Sequence, residues 1–361
     1  MEKYLSSLKG KTIAVVANQT TMVGQKHLVD TLLDLGIRIK CVFAPEHGFR
    51  GEAGAGEKIK DGIDAKTGLS IVSLYGNHLK PTAKDLENID LVVFDIQDVG
   101  ARFYTYISTL QYVMEACAEN GIALVILDRP NPNGFYVDGP VLRDSFRSFV
   151  GMMPIPVVHG MTIGEYAKML IGEQWVTNWR SMNLEVITVD NYTHKDHYHL
   201  PVRPSPNLPN MRSVYLYPSL CFFEGTAVSI GRGTEYPFQC YGFPGLKDGT
   251  FTFTPKDIAG VATDPPYENI LCNGIDLRRT DIHFGELPAK LELKWLQHSY
   301  DNFPEKEKFF NSFFEKLAGN DILRKQIIGR IPEKEIRLSW EPELSKFKAI
   351  RKKYLLYPDF E

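Results

Sequence analysis

Five short apolar runs in the first half of the chain are each followed at once by side chains that ionise or form strong hydrogen bonds. Asn18-Gln19-Thr20 follows the first run, Glu46-His47-Gly48 with Arg50 the second, and Tyr75-Gly76-Asn77 the third. Asp95, Gln97, Asp98 and Arg102 follow the fourth, and Asp128-Arg129-Pro130-Asn131 the fifth. Any one of these residues is as well explained by a solvated strand end or a capped turn. Ordinary caps, however, do not require Glu-His, Asp-Arg and Gln-Asp at one edge, so the set marks a site. Carboxylates, guanidinium groups, an imidazole and amides in this mixture suit acid/base chemistry on a hydroxylated substrate.

Other chemistries lack their motifs. The segment from Asn18 to Gly24 has no G-x-G-x-x-G, and no G-x-x-x-x-G-K-[ST] occurs anywhere, so dinucleotide or ATP use is unsupported and no cofactor is expected. Gly231-Arg232-Gly233-Thr234 follows no strand-to-helix junction and is weak as a phosphate cradle. G-x-S-x-G is absent too. His194, His197 and His199 have a tempting spacing, but they fall in a polar segment expected to be exposed, without an acidic ligand set, so no metal site is expected. A net charge of -3 gives no general field for nucleic acid, and no apolar run approaches the about 20 residues that span a bilayer. The five cysteines are widely spaced, odd in number and without a C-x-x-C pair, as buried apolar residues would be.

The elements that must position these side chains follow from periodicity. Thr12 to Ala17, Ile37 to Phe43, Ile71 to Leu74, Leu91 to Asp95 and Ala123 to Leu127 read as strands. Helical faces fall at His27 to Leu35, at Thr82 to Leu86 after Pro81, and at Arg102 to Asn120 before Gly121. Residues Gly48 to Gly68 hold six glycines and read as a long loop over the strand ends. Alternation of this kind specifies a doubly wound α/β domain, and ligands of such sheets bind outside the carboxyl ends of the strands. Thr162 and Glu165 form a capping box for a helix to Ile171. Prolines 201, 204, 206 and 209 place a domain boundary near residue 210, giving a catalytic domain over 1–210 and a smaller α+β domain over 211–361. In the latter, Phe251-Thr252-Phe253 alternates like a strand, and helices are expected near Pro288 to Phe303, Lys306 to Ala318 and Ile322 to Ile328.

Long blocks in these segments resemble the NamZ family of exo-β-N-acetylmuramidases. They are Phe43-Ala44-Pro45-Glu46-His47-Gly48-Phe49-Arg50-Gly51, the run from Phe94 to Tyr106 with its Gln97, Asp98, Arg102 and Tyr104, and Leu127-Asp128-Arg129-Pro130-Asn131-Pro132. The likeness continues through Asp138-Gly139-Pro140, the segment of His159, Pro204-Ser205-Pro206-Asn207, Phe223-Glu224-Gly225-Thr226 and Gly231-Arg232-Gly233-Thr234, to Tyr354-Leu355-Leu356-Tyr357-Pro358. It implies a Rossmann-like catalytic domain with an auxiliary C-terminal domain, releasing N-acetylmuramic acid from the non-reducing end of peptidoglycan fragments. It also implies a periplasmic or secreted location, although Met1-Glu2-Lys3-Tyr4-Leu5 does not read as an export signal.

On this resemblance Glu46 is the catalytic glutamate. Phe43 and Phe49 are expected to wall it and keep it protonated, with Asp98 favoured over Asp128, Glu224 and Glu235 as the second carboxylate. His47 is placed to bind substrate or orient Glu46, and Arg50, Arg102, Arg129 and Arg232 are the candidates to hold the lactyl carboxylate of the sugar. Asn18, Gln97, Tyr104, Asp128, His159, Asn207 and Glu224 complete the candidate binding set. Two other readings use the same crevice: a lyase acting on the same sugar, and a cell-wall binding module without turnover.

Overall fold

Leu91–Asp95 is buried at every position, and a strand of that kind must be covered on both faces. The computed structural model, which describes residues 1–51, 61–278 and 289–361, places it in the interior of a seven-stranded sheet, beside the central strand Thr12–Ala17. In chain order the strands are β1 (Thr12–Ala17), β2 (Arg38–Ala44), β3 (Gly62–Ile63), β4 (Ser70–Ser73), β5 (Leu91–Asp95), β6 (Ala123–Leu127) and β7 (Leu184–Ile187). They lie side by side as β3-β4-β2-β1-β5-β6-β7, all parallel except β3, which runs against β4. The chain winds outward from β1 through β2 to β4, then returns to lay β5 on the other side of β1. The topological switch point is therefore between β1 and β5, the place where a doubly wound sheet opens a crevice. All five expected strands form, and β7 is an addition whose half-exposed Leu-Glu-Val-Ile has no clean alternation.

The helices are α1 (Glu2–Leu8), α2 (Leu28–Asp34), α3 (Tyr106–Asn120), α4 (Ile163–Gly172), α5 (Met211–Leu220), α6 (Lys294–Asn302), α7 (Phe314–Ala318), α8 (Ile322–Ile328) and α9 (Glu333–Arg351). Thr82 to Leu86 forms only turns, because Asp85 accepts from both the Thr82 amide and hydroxyl and closes the segment locally. Residues 102–105 are likewise not helical, so α3 begins at Tyr106 rather than Arg102. The capping box forms: the Thr162 hydroxyl accepts from Glu165 N at 3.3 Å, and Glu165 accepts from Thr162 N at 2.9 Å. Of the long loop expected over the strand ends, residues 52–60 lie outside the described residues, as does Pro288 at the start of an expected helix.

The second half carries a small antiparallel sheet in the order β8 (Cys240–Phe243), β10 (Cys272–Asp276), β9 (Phe251–Phe253). The rest of this half is helical, α5 to α9, the α+β character expected. Lys306 to Ala318 is a 3-10 turn over Lys306–Lys308 and an α-helix only over α7, and α9 carries no clear signal in the sequence because Pro342 interrupts its pattern. One continuous apolar cluster runs from Val16 and Phe94 through Phe222 and Phe314 to Phe347, so both halves bury their side chains in a common core.

Candidate active site

Where β2 ends, the chain turns sharply. Gly48 N donates to Pro45 O at 3.0 Å, and His47 takes φ +72°, a left-handed conformation that costs a non-glycine residue on the order of 1–3 kcal/mol. Strain of this kind persists where neighbours enforce it, and here the turn aims Glu46 off the end of the sheet. Thr105, the residue before α3, makes no side-chain cap and instead donates its hydroxyl to Glu46 Oε2 at 2.7 Å. Tyr75, just past β4, hydrogen-bonds the same carboxyl, and its hydroxyl stays neutral because burial and then Glu46 push its pKa up, with Glu224 adding to the effect. Three different strand ends thus meet at one carboxyl group.

This carboxyl borders a cavity of about 430 Å³, within the range of small-molecule sites. Its walls are aromatic, with Tyr75, Phe103, Tyr104, Phe149, Tyr217, Phe223 and Phe238 surrounding Glu46 and His47. The second half of the chain closes it with Glu224, Arg232 and Asp264. Glu224 stands on a single 3-10 turn, Cys221–Gly225, and accepts from Arg232 Nε at 2.9 Å and from Nη2. Gly231 and Gly233, each at φ +76°, flank Arg232, and a Cβ on Gly233 would sit 2.4 Å from Lys256 O. The Gly-Arg-Gly run is therefore a tight turn that presents a guanidinium, and not a phosphate cradle.

Several candidates from the sequence lie elsewhere. Phe43 and Phe49 are buried in the core on either side of the sheet and do not wall Glu46. Asp98 does not border the cavity: its Oδ2 accepts from Gly100 N at 2.6 Å, and burial pushes its pKa up to about 7. Glu224 and Asp264, and not Asp98, are the carboxylates that share the cavity with Glu46. Asn18 and Gln97 serve the backbone of the crevice floor, Asn18 Oδ1 accepting from Thr20 N at 2.9 Å and Gln97 Nε2 donating to Pro130 O at 2.8 Å. Arg50 is bound by Asp64 at 2.7 Å and Asp30 at 3.2 Å, and Arg129 by Asp95 at 2.5 Å. Fully buried Arg102 donates to three carbonyls, of Pro140, Ile155 and Leu317. Asp128 accepts from Thr162 Oγ1, Gly164 N and Tyr357 OH at 2.6–2.8 Å and so anchors α4 and the closing segment. His159 is buried, and burial lowers its pKa to about 3, so it stays neutral and structural.

The proline-rich stretch is not an exposed linker. Residues 204–208 are buried, and Ser205, Asn207 and Leu208 line the cavity, Asn207 Nδ2 donating to Val261 O at 2.6 Å. Gln19 Nε2 donates to Pro204 O at 2.9 Å, satisfying backbone that has no regular partner. His194 is also buried rather than exposed, with Nε2 2.9 Å from Glu165, and His197 packs on Phe135 instead. Among the described residues no group of three or more His, Cys, Asp or Glu side chains is disposed to hold a metal. Thr105, Phe149, Ser205 and Asp264 are cavity residues that sequence reasoning missed. Only Thr105 and Ser205 had a signal, their places in the long family-like blocks.

Asp98 supplies a pH-dependent expectation. Its folded pKa of about 7 stands above the ordinary aspartate value of 3.8, so between those values the folded state binds more protons than the unfolded chain. The stability it contributes is complete below about pH 4 and is lost as pH rises to 7, by up to a few kcal/mol. Asp98→Asn should therefore gain stability over the parent protein progressively from pH 4 to 7, measured by urea unfolding, while keeping its turnover. A stability difference that is flat with pH would contradict the buried, raised carboxyl.

Similarity to known proteins follows this geometry. A family model for the N-terminal part of exo-β-N-acetylmuramidase NamZ matches residues 13–212, and one for its C-terminal part matches residues 215–357. The chain belongs to the NamZ family. It is 40% identical over 372 residues to the peptidoglycan β-N-acetylmuramidase NamZ of Bacillus subtilis (strain 168), covering 98% of this chain and 89% of that protein. Two crystal structures of DUF1343 family proteins from Bacteroides fragilis NCTC 9343 share its fold. One has TM-score 0.90 and 46% identity over 99% of this chain and 97% of its own, the other TM-score 0.84 and 28% identity over 99% and 96%. The matches to the NamZ family models run through both halves, as does the lining of the cavity.

Proposed function

We propose that this chain is an exo-acting β-N-acetylmuramidase that hydrolyses the glycosidic bond of a terminal N-acetylmuramic acid in peptidoglycan fragments. The observation that carries this reading is the Glu46 carboxyl, gripped by Thr105 and Tyr75 at the mouth of three strands and facing an aromatic cavity that also holds Glu224. Glycoside cleavage by side-chain carboxyls needs two groups flanking the scissile bond, one to protonate the leaving oxygen and one to assist attack at the anomeric carbon. Glu46 takes the first role. Its turn is rigid, and the two hydroxyls on its carboxyl hold the group in one orientation, which general acid catalysis requires. Glu224, from the second half of the chain, takes the second, fixed by Arg232 eight residues on. Aromatic walls suit the apolar faces of a sugar ring, and Asn207 and His47 add polar contacts beside them.

Incubation with a chromogenic β-N-acetylmuramide beside the matching β-N-acetylglucosaminide tests the reading. The muramide should be cleaved with a clear preference, and mass spectrometry in ¹⁸O-water should find the heavy oxygen in the released sugar. Intact muramide after long incubation would reduce the site to a binding module.

A further inference from the structure

Three carboxylates, Glu46, Glu224 and Asp264, line the cavity, and among the described residues Arg232 is the one arginine or lysine on its wall. N-acetylmuramic acid differs from N-acetylglucosamine by a lactyl ether on C3, which brings a further carboxylate into this acidic space. Like charges brought together in a partly desolvated space repel, so the acidic sugar needs a fixed cation to be preferred at all. The other arginines that could serve are spent: Arg50 on Asp64 and Asp30, Arg129 on Asp95, and Arg102 on three buried carbonyls.

Arg232 is built differently. Its Nε and Nη2 both bond the same oxygen of Glu224, and Nη1 makes no hydrogen bond to the described residues. The guanidinium lies 5.1 Å over the Phe238 ring, and its side chain keeps 21% exposure. A fork held along one edge and against an aromatic face has lost its rotamer freedom before the ligand arrives, which lowers the cost of binding an anion with the remaining edge. We propose that Arg232 is the specificity determinant of the site, holding the lactyl carboxylate of the substrate while Glu224 and Phe238 fix its orientation. This deepens the glycosidase reading above and rests on it.

The test compares kcat/KM for three chromogenic substrates: the β-N-acetylmuramide, the same sugar with its lactyl carboxylate converted to the uncharged amide, and the β-N-acetylglucosaminide. The parent enzyme should prefer the free acid to the amide by at least about 30-fold, roughly 2 kcal/mol of recognition. In Arg232→Met that ratio should collapse at least about tenfold, whatever loss all three substrates share through the disturbed Glu224, and Arg232→Lys should restore part of it. An unchanged ratio in a folded variant would show that Arg232 acts only through Glu224 and would overturn the proposal. Should neither variant fold, the parent enzyme decides alone, because a ratio near one between acid and amide is incompatible with a carboxylate clamp. Cleavage without preference for the acid sinks this proposal only, whereas no cleavage of any substrate removes the glycosidase reading and the clamp with it.

Discussion

Glu46→Gln should lower turnover at least ~100-fold while leaving the fold intact, because the amide keeps the size and the hydroxyl contacts of the carboxyl but has no proton to transfer. Both neighbours tolerate the change: the Thr105 hydroxyl, 2.7 Å from Oε2, can still donate to the amide oxygen. The loss should be greatest on a substrate with a poor leaving group, where protonation of the departing oxygen matters most, and smallest on an activated aryl glycoside. Steady-state rates on a natural disaccharide and on an aryl muramide separate the two. A folded Glu46→Gln enzyme working near the parent rate on the disaccharide would take Glu46 out of the mechanism. Tyr75→Phe removes one hydroxyl from the carboxyl without touching the proton, so it should cost far less than the glutamine variant.

The largest stability effect is expected at Arg102→Met. This guanidinium is completely buried and ties together the carbonyls of Pro140, Ile155 and Leu317, the last of them in the second half of the chain. Methionine fills much of the space but strands three acceptors where water does not reach. Each stranded buried acceptor costs about 1–3 kcal/mol, partly offset because burial already disfavours the Arg102 charge, so a net loss of about 3 kcal/mol is expected. Urea unfolding followed by tryptophan fluorescence should show the lowered midpoint, and the residues next along the chain, Phe103 to Thr105, would carry the disturbance to the cavity wall. A change below ~1 kcal/mol would mean that the network is dispensable and that Arg102 has another purpose.

Much of the architecture was legible before any coordinates. The runs Thr12–Ala17, Leu91–Asp95 and Ala123–Leu127 are strands because uninterrupted β-branched and aliphatic residues have no other buried use, and the Thr162–Glu165 capping box starts α4 by local chemistry alone. That the functional edge lies at the carboxyl ends of these strands also follows from the alternating pattern. Glu46 stands out in sequence because it follows a strand directly and sits in a long family-like block. Local signals failed where the chain satisfies itself at short range, as at Thr82 to Leu86, or where a proline interrupts a real helix, as in α9.

Which of the polar strand ends face a ligand was decided only by tertiary structure. Asp95 with Arg129, Asp30 and Asp64 with Arg50, and Asp98 with its own loop are all paired inside the crevice rim, and nothing in their types separates them from Glu46. A polar side chain near a strand end finds either a backbone group, an opposite charge or the cavity, and the outcome depends on what distant segments bring to it. Here residues 204–208, the Glu224 turn and the Arg232 turn arrive from more than a hundred positions away and close the space over Glu46. The sequence by itself therefore determined the sheet and its polar edge, and singled out Glu46 as a candidate on that edge. Which other carboxylates reach the cavity, and that Arg232 is the one arginine on its wall among the described residues, were decided by packing between the two halves, because burial and pairing are properties of the folded neighbourhood and not of the residue.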